Sequence, residues 1–246
     1  MKNIYFTSLL FLIGCSSSVP DASIPLADHL KTGMDFLDQE KYVKAQEEFQ
    51  FILSRGTGTD YGDDAQFFLA ESYFLNEQYI LSIQEYENLT RKMSYSPFFE
   101  KARFRICEAY RIESPNYYND QSYTEKALER YREFLDDFPE SEHSLVVTES
   151  MGALRNKLAK KLYETGVLYM KLDEFEPARM SFDQVLEQYY DTDIVENTHY
   201  EVIQSYLREG SVKKAEKHWL TKGKEYIVQE DLVNDLILRF SENKEK

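Results

Sequence analysis

The chain has 246 residues, of which 15% are aromatic and 30% are charged, and its formal net charge is −15 at pH 7. An acidic protein is a poor candidate for a nucleic-acid partner, because phosphate binding requires a basic face. Six prolines and nine glycines are too few for a loop-rich all-β protein.

The chain begins with a segment that resembles a lipoprotein leader. Residues 1–14 combine a short positive start at Lys2 with an apolar stretch over residues 4–12 that is too short to be a permanent membrane span. Residues 12–15 resemble the bacterial lipobox, in which the cysteine is acylated and becomes the first residue after cleavage. A stray cysteine at the end of a leader is the alternative. We expect Cys15 to carry several acyl chains, which anchor a protein firmly.

Residues 15–23 follow as a short tether without apolar periodicity, which favours a flexible link between the membrane and the folded part. Ser16, rather than an aspartate, follows the cysteine. By resemblance to enteric lipoproteins, this permits export to the outer membrane.

From residue 24 onward, the chain repeats one spacing of small and aromatic residues. The first pairs, three residues apart, are Gly33/Phe36, Ala70/Tyr73, Cys107/Tyr110, Gly166/Tyr169 and, with a looser first member, Ile203/Tyr206. The second pairs, four residues apart, are Ala45/Phe49, Ser82/Tyr86, Ala127/Tyr131, Ala178/Phe182 and Ala215/Trp219. Small residues let a neighbouring helix approach closely, and this recurrence is typical of the tetratricopeptide repeat. We expect an all-α tetratricopeptide-repeat solenoid of about five helical hairpins.

Two departures divide the array. In four repeats the second small residue lies nine positions after the first aromatic residue, whereas in the third the step is seventeen, because residues 114–122 form a longer loop. Such a loop either makes contacts or is a tolerated insertion. A three- and four-residue apolar spacing then predicts one long helix over residues 144–171.

The predicted domains follow from these departures. Residues 24–143 hold repeats one to three, and residues 144–240 hold the long helix, repeats four and five, and a capping helix from about residue 225. Residues 241–246 form a frayed tail. The side chains expected on the inward face of the capping helix are Tyr226, Leu232, Val233, Leu236, Ile237 and Phe240.

No catalytic constellation is visible. The four histidines are scattered, and neither a metal-ligand spacing nor a phosphate-binding loop occurs. Paired carboxylates of a glycosidase meet only in space, so that alternative stays open. We expect a non-enzymatic protein with no metal and no cofactor.

A helical-repeat array offers a concave groove lined by the first helix of each repeat. The register of the second and third repeats points a few aromatic and charged side chains into it, and such walls suit an extended peptide. The groove candidates are Phe67, Glu71, Phe74, Phe104, Glu108 and Arg111. Packing between helices is the alternative role for some of these aromatic residues.

The outer face of the long helix carries a basic patch in an otherwise acidic protein. Its residues are Arg155, Lys157, Lys160 and Lys161. A solvated surface is one interpretation, and docking to an acidic partner is the other.

The leader, the five repeats, the insertion in the third and the long helix before the fourth together resemble the BamD family, the tetratricopeptide lipoproteins of the β-barrel assembly machinery. The resemblance covers nearly the whole chain. It is most specific over residues 131–172, which include DDFPESEHS and LRNKLAKKLYETGVLYMK. Phe138 stands where the family usually has tyrosine.

The resemblance implies a scaffold, lipid-anchored to the periplasmic face of the outer membrane. The N-terminal repeats would receive unfolded outer-membrane proteins, so the groove candidates become candidates for client binding. The C-terminal repeats would dock on the barrel-shaped insertase, beside other assembly lipoproteins, and the basic patch becomes a candidate for that contact. A tetratricopeptide-repeat lipoprotein that scaffolds a cell-wall or secretion complex is the alternative.

Overall fold

The computed structural model describes residues 20–244, and within them all regular structure is helical. The helices are α1 (Leu26–Asp38), α2 (Tyr42–Ser54), α3 (Gly62–Leu75), α4 (Tyr79–Lys92), α5 (Phe99–Glu113), α6 (Ser122–Asp137), α7 (Ser144–Lys171), α8 (Phe175–Gln188), α9 (Val195–Arg208), α10 (Val212–His218), α11 (Lys224–Tyr226) and α12 (Glu230–Lys244), with a π-helical turn at Trp219–Gly223. None of these helices combines the length and the apolarity that a membrane crossing needs. The predicted signal peptide and Cys15 lie outside the described residues.

The predicted fold class is confirmed: the chain is all-α and built from tetratricopeptide-type helical hairpins. Helices α1 to α4 pack on one another in chain order, and α6 to α10 do the same. Contact of each helix with its neighbours in sequence is the organisation expected of a repeat array.

The spacing of small and aromatic residues arises from close helix packing. A Cβ atom added to Gly166 would lie 2.3 Å from Cε1 of Phe182, and one added to Gly33 would lie 2.6 Å from Cε1 of Phe49. Both phenylalanine side chains are completely buried. The ring of the return helix therefore fills the space that a larger residue on the first helix would need.

The step of nine residues has its own structural cause, which is an identical turn in four hairpins. The residue four positions after the first aromatic residue has a left-handed backbone in Glu40 (φ 57°), Glu77 (φ 58°), Asp173 (φ 59°) and Gly210 (φ 81°). The next backbone N–H then donates to the carbonyl of the aromatic residue, for example from Lys41 to Phe36 at 2.8 Å. This is the Schellman motif, which closes the end of a helix.

The chain divides into two compact units, one ending at Phe99 and the other beginning at Glu100. The core of the first unit is formed by Ala45, Phe49, Ile52, Ala65 and Leu69. In the second unit one cluster joins α5, α6 and α7 through Cys107, Tyr131, Phe134, Val147 and Leu154. The first half of α7 shares this core with the third repeat, and the boundary at 143/144 stays a prediction.

The N-terminal end of the first unit is held by a buried histidine. The Nδ1 atom of His29 lies 2.6 Å from Oε2 of Glu48, and Nε2 lies 3.0 Å from the carbonyl oxygen of Asp21. The ring also lies against Phe51, with 4.4 Å between the ring centroids. Asp21 is thereby fixed to the first hairpin.

The capping helix was predicted from about residue 225, but α12 starts at Glu230 and continues to Lys244. Residues 224–226 belong to α11, and Ile227 has an extended backbone that separates the two helices. Leu236 is completely buried, and Leu232, Val233 and Phe240 pack against the same core, as expected. The inward orientation predicted for Ile237 is wrong, since it is 60% exposed, whereas Tyr226 is 41% exposed but its ring packs against His199.

Candidate functional site

Two of the groove candidates on α3 lie in the core of the first unit. The Phe67 side chain is completely buried, and its ring stacks on Phe98 with 4.4 Å between centroids. Glu71 is also buried and accepts a hydrogen bond from the hydroxyl of Tyr86 on α4. The predicted exposure of these two residues in an open groove is wrong, because this face of α3 packs against α4.

The third candidate on α3 lies in a more open environment at the α3–α4 turn. The Phe74 ring is partly exposed and makes an edge contact with Tyr79, with 5.3 Å between centroids. Leu75, Ile80 and Leu81, at the adjoining helix ends, are about 40% exposed. We call these five residues the turn patch, a group of partly exposed apolar side chains at one turn of the first unit.

On α5, Glu108 is the centre of a hydrogen-bond cluster within the second unit. Its Oε2 accepts from Nη2 of Arg111 at 2.7 Å, its Oε1 accepts from Nε of Arg111 at 3.1 Å, and the hydroxyl of Tyr131 donates to Oε1. Burial alone would raise the pKa of Glu108, but these hydrogen bonds outweigh it and hold the pKa below its ordinary value. Glu108 and Arg111 therefore pair their charges and hydrogen-bonding groups with each other.

Phe104 is likewise committed to packing. Its ring stacks on the imidazole of His143, with 4.0 Å between centroids and 7° between planes. It also contacts Phe134 of α6. The groove candidates on α5 thus connect this helix to α6 and to His143, the residue before α7. They do not line the open groove wall that was predicted.

The glutamate–tyrosine contact is a feature that the sequence analysis missed. Glu71 and Glu108 each follow the small residue of their repeat, and Tyr86 and Tyr131 occupy the second aromatic position. The other three repeats have Phe49, Phe182 and Trp219 at that position and no glutamate after the small residue. The sequence feature that predicts this contact is a glutamate after the first small residue together with a tyrosine at the second aromatic position of the same repeat.

On α7, Arg155 of the predicted basic patch is used inside the second unit. Its Nε lies 2.9 Å from Oδ2 of Asp191, and its Nη2 donates to the carbonyl of Gln188 at 2.8 Å. The guanidinium also lies 5.2 Å from the ring centroid of Tyr189. Arg155 therefore fastens α7 to the connection between α8 and α9.

The three lysines of the basic patch hold the loop at residues 114–121. Lys157 Nζ donates to Oγ of Ser114 at 2.7 Å, and Lys161 Nζ donates to the carbonyl of Asn119 at 2.7 Å. Lys160 Nζ lies 4.7 Å from the ring centroid of Tyr117. The insertion of the third repeat therefore folds back on α7 instead of projecting. A docking role for the four residues stays a prediction, but they do not form the open face that we expected.

A histidine pair lies near the end of the second unit. Nδ1 of His199 and Nε2 of His218 are 3.0 Å apart, and the His199 ring stacks on Tyr226. Burial, the second imidazole and Lys222 lower the pKa of His199 to about 4. Burial and the same lysine lower the pKa of His218 to about 4. Both rings are therefore neutral at pH 7.

The α12 helix has a second, exposed side. Ile237 is 60% exposed and Leu238 is 57% exposed, whereas Leu236 between α9 and α10 is completely buried. Two neighbouring aliphatic side chains of α12 are therefore left exposed.

Comparison with known proteins identifies the family. The outer membrane lipoprotein model YfiO matches residues 25–220, which is well over half of the chain. The outer membrane protein assembly factor BamD of Rickettsia prowazekii is 26% identical over 226 residues, covering 88% of this chain and 87% of that protein. The protein of the same name from Caulobacter vibrioides is 21% identical over 194 residues, covering 78% of this chain and 63% of its own length.

A solved structure, a thermophilic TPR protein from Thermus thermophilus, is also similar, with 16% identity, a TM-score of 0.38, and coverage of 90% of this chain and 100% of that chain. A likeness at this level adds nothing to the assignment, which depends on the family match. The chain belongs to the YfiO family of outer membrane lipoproteins.

Proposed function

We propose that this protein is a non-enzymatic component of the outer-membrane β-barrel assembly machinery. It is anchored by an acylated Cys15 to the periplasmic face of the outer membrane, and it binds the insertase, other assembly lipoproteins and unfolded outer-membrane proteins. The observation that carries the proposal is the match to the Rickettsia assembly factor over 226 residues, which spans almost all of both chains. Arrays of helical hairpins commonly serve as binding scaffolds.

Client binding is best supported at the turn patch of the first unit. An unfolded barrel strand alternates apolar and polar side chains, so one of its faces can bury apolar groups on a partner. Phe74, Leu75, Tyr79, Ile80 and Leu81 offer such a surface, whereas Phe67 and Glu71 are used in the core. The turn patch therefore keeps Phe74 of the predicted groove candidates, and it takes the place of Phe67 and Glu71 as the proposed contact on the first unit.

Docking to the insertase is best supported at α12. Ile237 and Leu238 are exposed on a helix whose opposite side packs into the core, so the pair is presented on a rigid support. Burying these two exposed aliphatic side chains against a partner would contribute favourable apolar area to the contact.

Affinity purification of the full-length protein from detergent-solubilised envelopes of its own host tests the proposal. The wild type should recover the insertase, and the pair Ile237→Asp and Leu238→Asp should lose it. Leu75→Asp with Ile80→Asp should instead reduce crosslinking to unfolded outer-membrane proteins and keep the insertase. Leu145→Asp, at a residue that is 71% exposed on α7, is the matched control. Recovery of secretion or cell-wall components without the insertase would refute the proposed assembly function.

A further inference from the structure

A lysine-rich surface lies on the segment 212–226, which comprises α10, the π-helical turn and α11 and also contains Glu216 and Glu225. We call it the lysine face, and its five members are Lys213, Lys214, Lys217, Lys222 and Lys224. All five are exposed. With Glu216 and Glu225 counted, the segment has a formal net charge of +3 (five lysines and two glutamates) in a chain whose net charge is −15.

Across residues 20–244, none of these five lysines takes part in an ion pair, although Lys214 lies 5.8 Å from the ring centroid of Tyr206. Arginines elsewhere in the second unit behave differently. Arg155 binds Asp191, Arg179 binds Glu209, and Arg208 binds Asp173. Lys214 lies near Glu209, and Lys222 lies near Asp183 and the histidine pair. The positive charge most available to an external anion is therefore that of Lys213, Lys217 and Lys224.

The orientation of the lysine face is fixed by packing on its opposite side. Ala215 and Ile227 are buried in the core shared by α9, α10 and α12, and Trp219 packs against the same core. A Cβ atom added to Gly223 would lie 2.8 Å from Cε3 of Trp219, so the π-helical turn leaves no free space on the inside. The lysines are thus presented outward by a rigid element.

Exposed apolar side chains flank the lysines. Leu220 is 63% exposed and lies within the lysine sequence, and Val228 is 74% exposed just after α11. Tyr226 is 41% exposed. A helical face that combines lysines with aliphatic and aromatic side chains is typical of binding at a membrane surface.

The presence of lysine rather than arginine favours anionic lipid headgroups over the carboxylates of a protein partner. Protein interfaces are enriched in arginine, whose planar fork binds carboxylates in a bidentate manner, and they are depleted in lysine. Residues 212–226 contain five lysines and no arginine. Lysine is a strongly hydrated point charge, which suits the diffuse negative potential of lipid headgroups.

We propose that the lysine face binds the surface of a bilayer that contains anionic phospholipid, with Leu220 and Val228 entering the interface. This contact is additional to the acyl anchor and to the insertase contact proposed above. It would give the second unit its own affinity for the membrane, independent of Cys15.

Cosedimentation with vesicles tests this. The chain from Ser16 onward, which lacks the acyl anchor but keeps every residue that the structure describes, is mixed with phosphatidylethanolamine–phosphatidylglycerol vesicles or with neutral phosphatidylcholine vesicles. Replacing Lys213, Lys217 and Lys224 by glutamine should weaken binding to the anionic vesicles roughly tenfold to a hundredfold. Added salt should weaken wild-type binding.

The matched control replaces the exposed lysines Lys31, Lys92 and Lys171 by glutamine, which changes the net charge by the same amount. This variant should bind within about twofold of the wild type, and Leu220→Ser should weaken binding at unchanged charge. Circular dichroism melting verifies that all variants are folded.

Three results would overturn the proposal. The first is equal wild-type binding to anionic and neutral vesicles, and the second is an equal loss in both triple variants. The third is unchanged vesicle binding combined with loss of a co-purified protein in the lysine-face variant, which would assign the face to a protein partner. Because the vesicle assay contains no insertase, its outcome is independent of the proposed assembly function.

Discussion

Lys157 Nζ and Ser114 Oγ are 2.7 Å apart, and this hydrogen bond joins the long helix α7 to the first residue of the insertion in the third repeat. Lys161 makes the corresponding contact with the carbonyl of Asn119 at the other end of the loop. The pKa of Lys157 is lowered by burial and by the nearby Arg111. The insertion is therefore part of the folded second unit.

Replacing Lys157 and Lys161 by methionine should release this loop. Methionine keeps the aliphatic packing of the lysine stem but removes the donors, so we expect a loss of about 1–2 kcal/mol of stability. Amide hydrogen exchange and limited proteolysis measure this release, and both should be faster at residues 114–121. Lys126→Met, an exposed lysine on α6, is the control. Unchanged exchange in the double variant would show that the loop is held by other contacts.

Gly166→Ala should be strongly destabilising. The added Cβ atom would lie 2.3 Å from Cε1 of the buried Phe182 ring, so α7 and α8 must separate or the ring must leave its position. We expect the free energy of unfolding, measured in urea, to fall by about 2–4 kcal/mol.

Gly152→Ala on the same helix is the matched control. No atom lies within 4 Å of its added Cβ, and alanine favours a helix interior. This variant should gain roughly 0.5–1 kcal/mol. Equal losses at the two positions would contradict close packing as the reason for the small residue.

Glycine should stabilise the protein at the left-handed turn positions and destabilise it in the middle of a helix. Glu77 has φ 58°, which is unfavourable for a residue with a side chain, so Glu77→Gly should stabilise the protein by about 0.5–1 kcal/mol. Gly210→Ala should cost about 1 kcal/mol for the same reason. The control is Glu129→Gly in the middle of α6, which should destabilise by about 1 kcal/mol. Thermal unfolding of the three variants measures the differences.

The histidine pair predicts a loss of stability in mild acid. His199 and His218 have folded pKa values of about 4 against an ordinary value of 6.5, so the unfolded chain binds protons that the folded chain does not. Their full contribution is present above pH 6.5 and is lost progressively as the pH falls towards 4. We expect the free energy of unfolding to drop by roughly 1–3 kcal/mol between pH 7 and pH 5.

The double variant His199→Gln and His218→Gln isolates this contribution. Its side chains can still hydrogen-bond but do not titrate, so the slope of stability against pH over this window should flatten. An unchanged slope would assign the acid sensitivity to other groups.

Local spacing was sufficient to predict the repeat helices and α7, but not the break between α11 and α12. The bounds expected for the long helix, residues 144–171, are those observed for α7, and the close approach at Gly166 follows from the same pattern. Each of these features depends on residues that are neighbours in sequence or one hairpin apart, where helix geometry leaves few alternatives.

The candidate surfaces were harder to predict, because exposure depends on distant partners. Phe67 is buried by Phe98, which comes from the next helix connection. The α7 lysines bind main-chain carbonyls of the loop, and such acceptors have no signature in the sequence. The exposed lysines of residues 212–226 were visible in the sequence, but only the structure gave the absence of ion pairs among the residues it describes.

The contact between His29 and the carbonyl of Asp21 limits the distance between the first hairpin and Cys15. Cys15 and Asp21 are six residues apart in the sequence, and six residues extend at most about 22 Å. With Cys15 acylated as proposed, helices α1 and α2 can diffuse laterally with the lipid anchor, but the short chain between Cys15 and Asp21 keeps them close to the bilayer surface. A client bound to the first unit as proposed would therefore be received within a few nanometres of the membrane that it must enter.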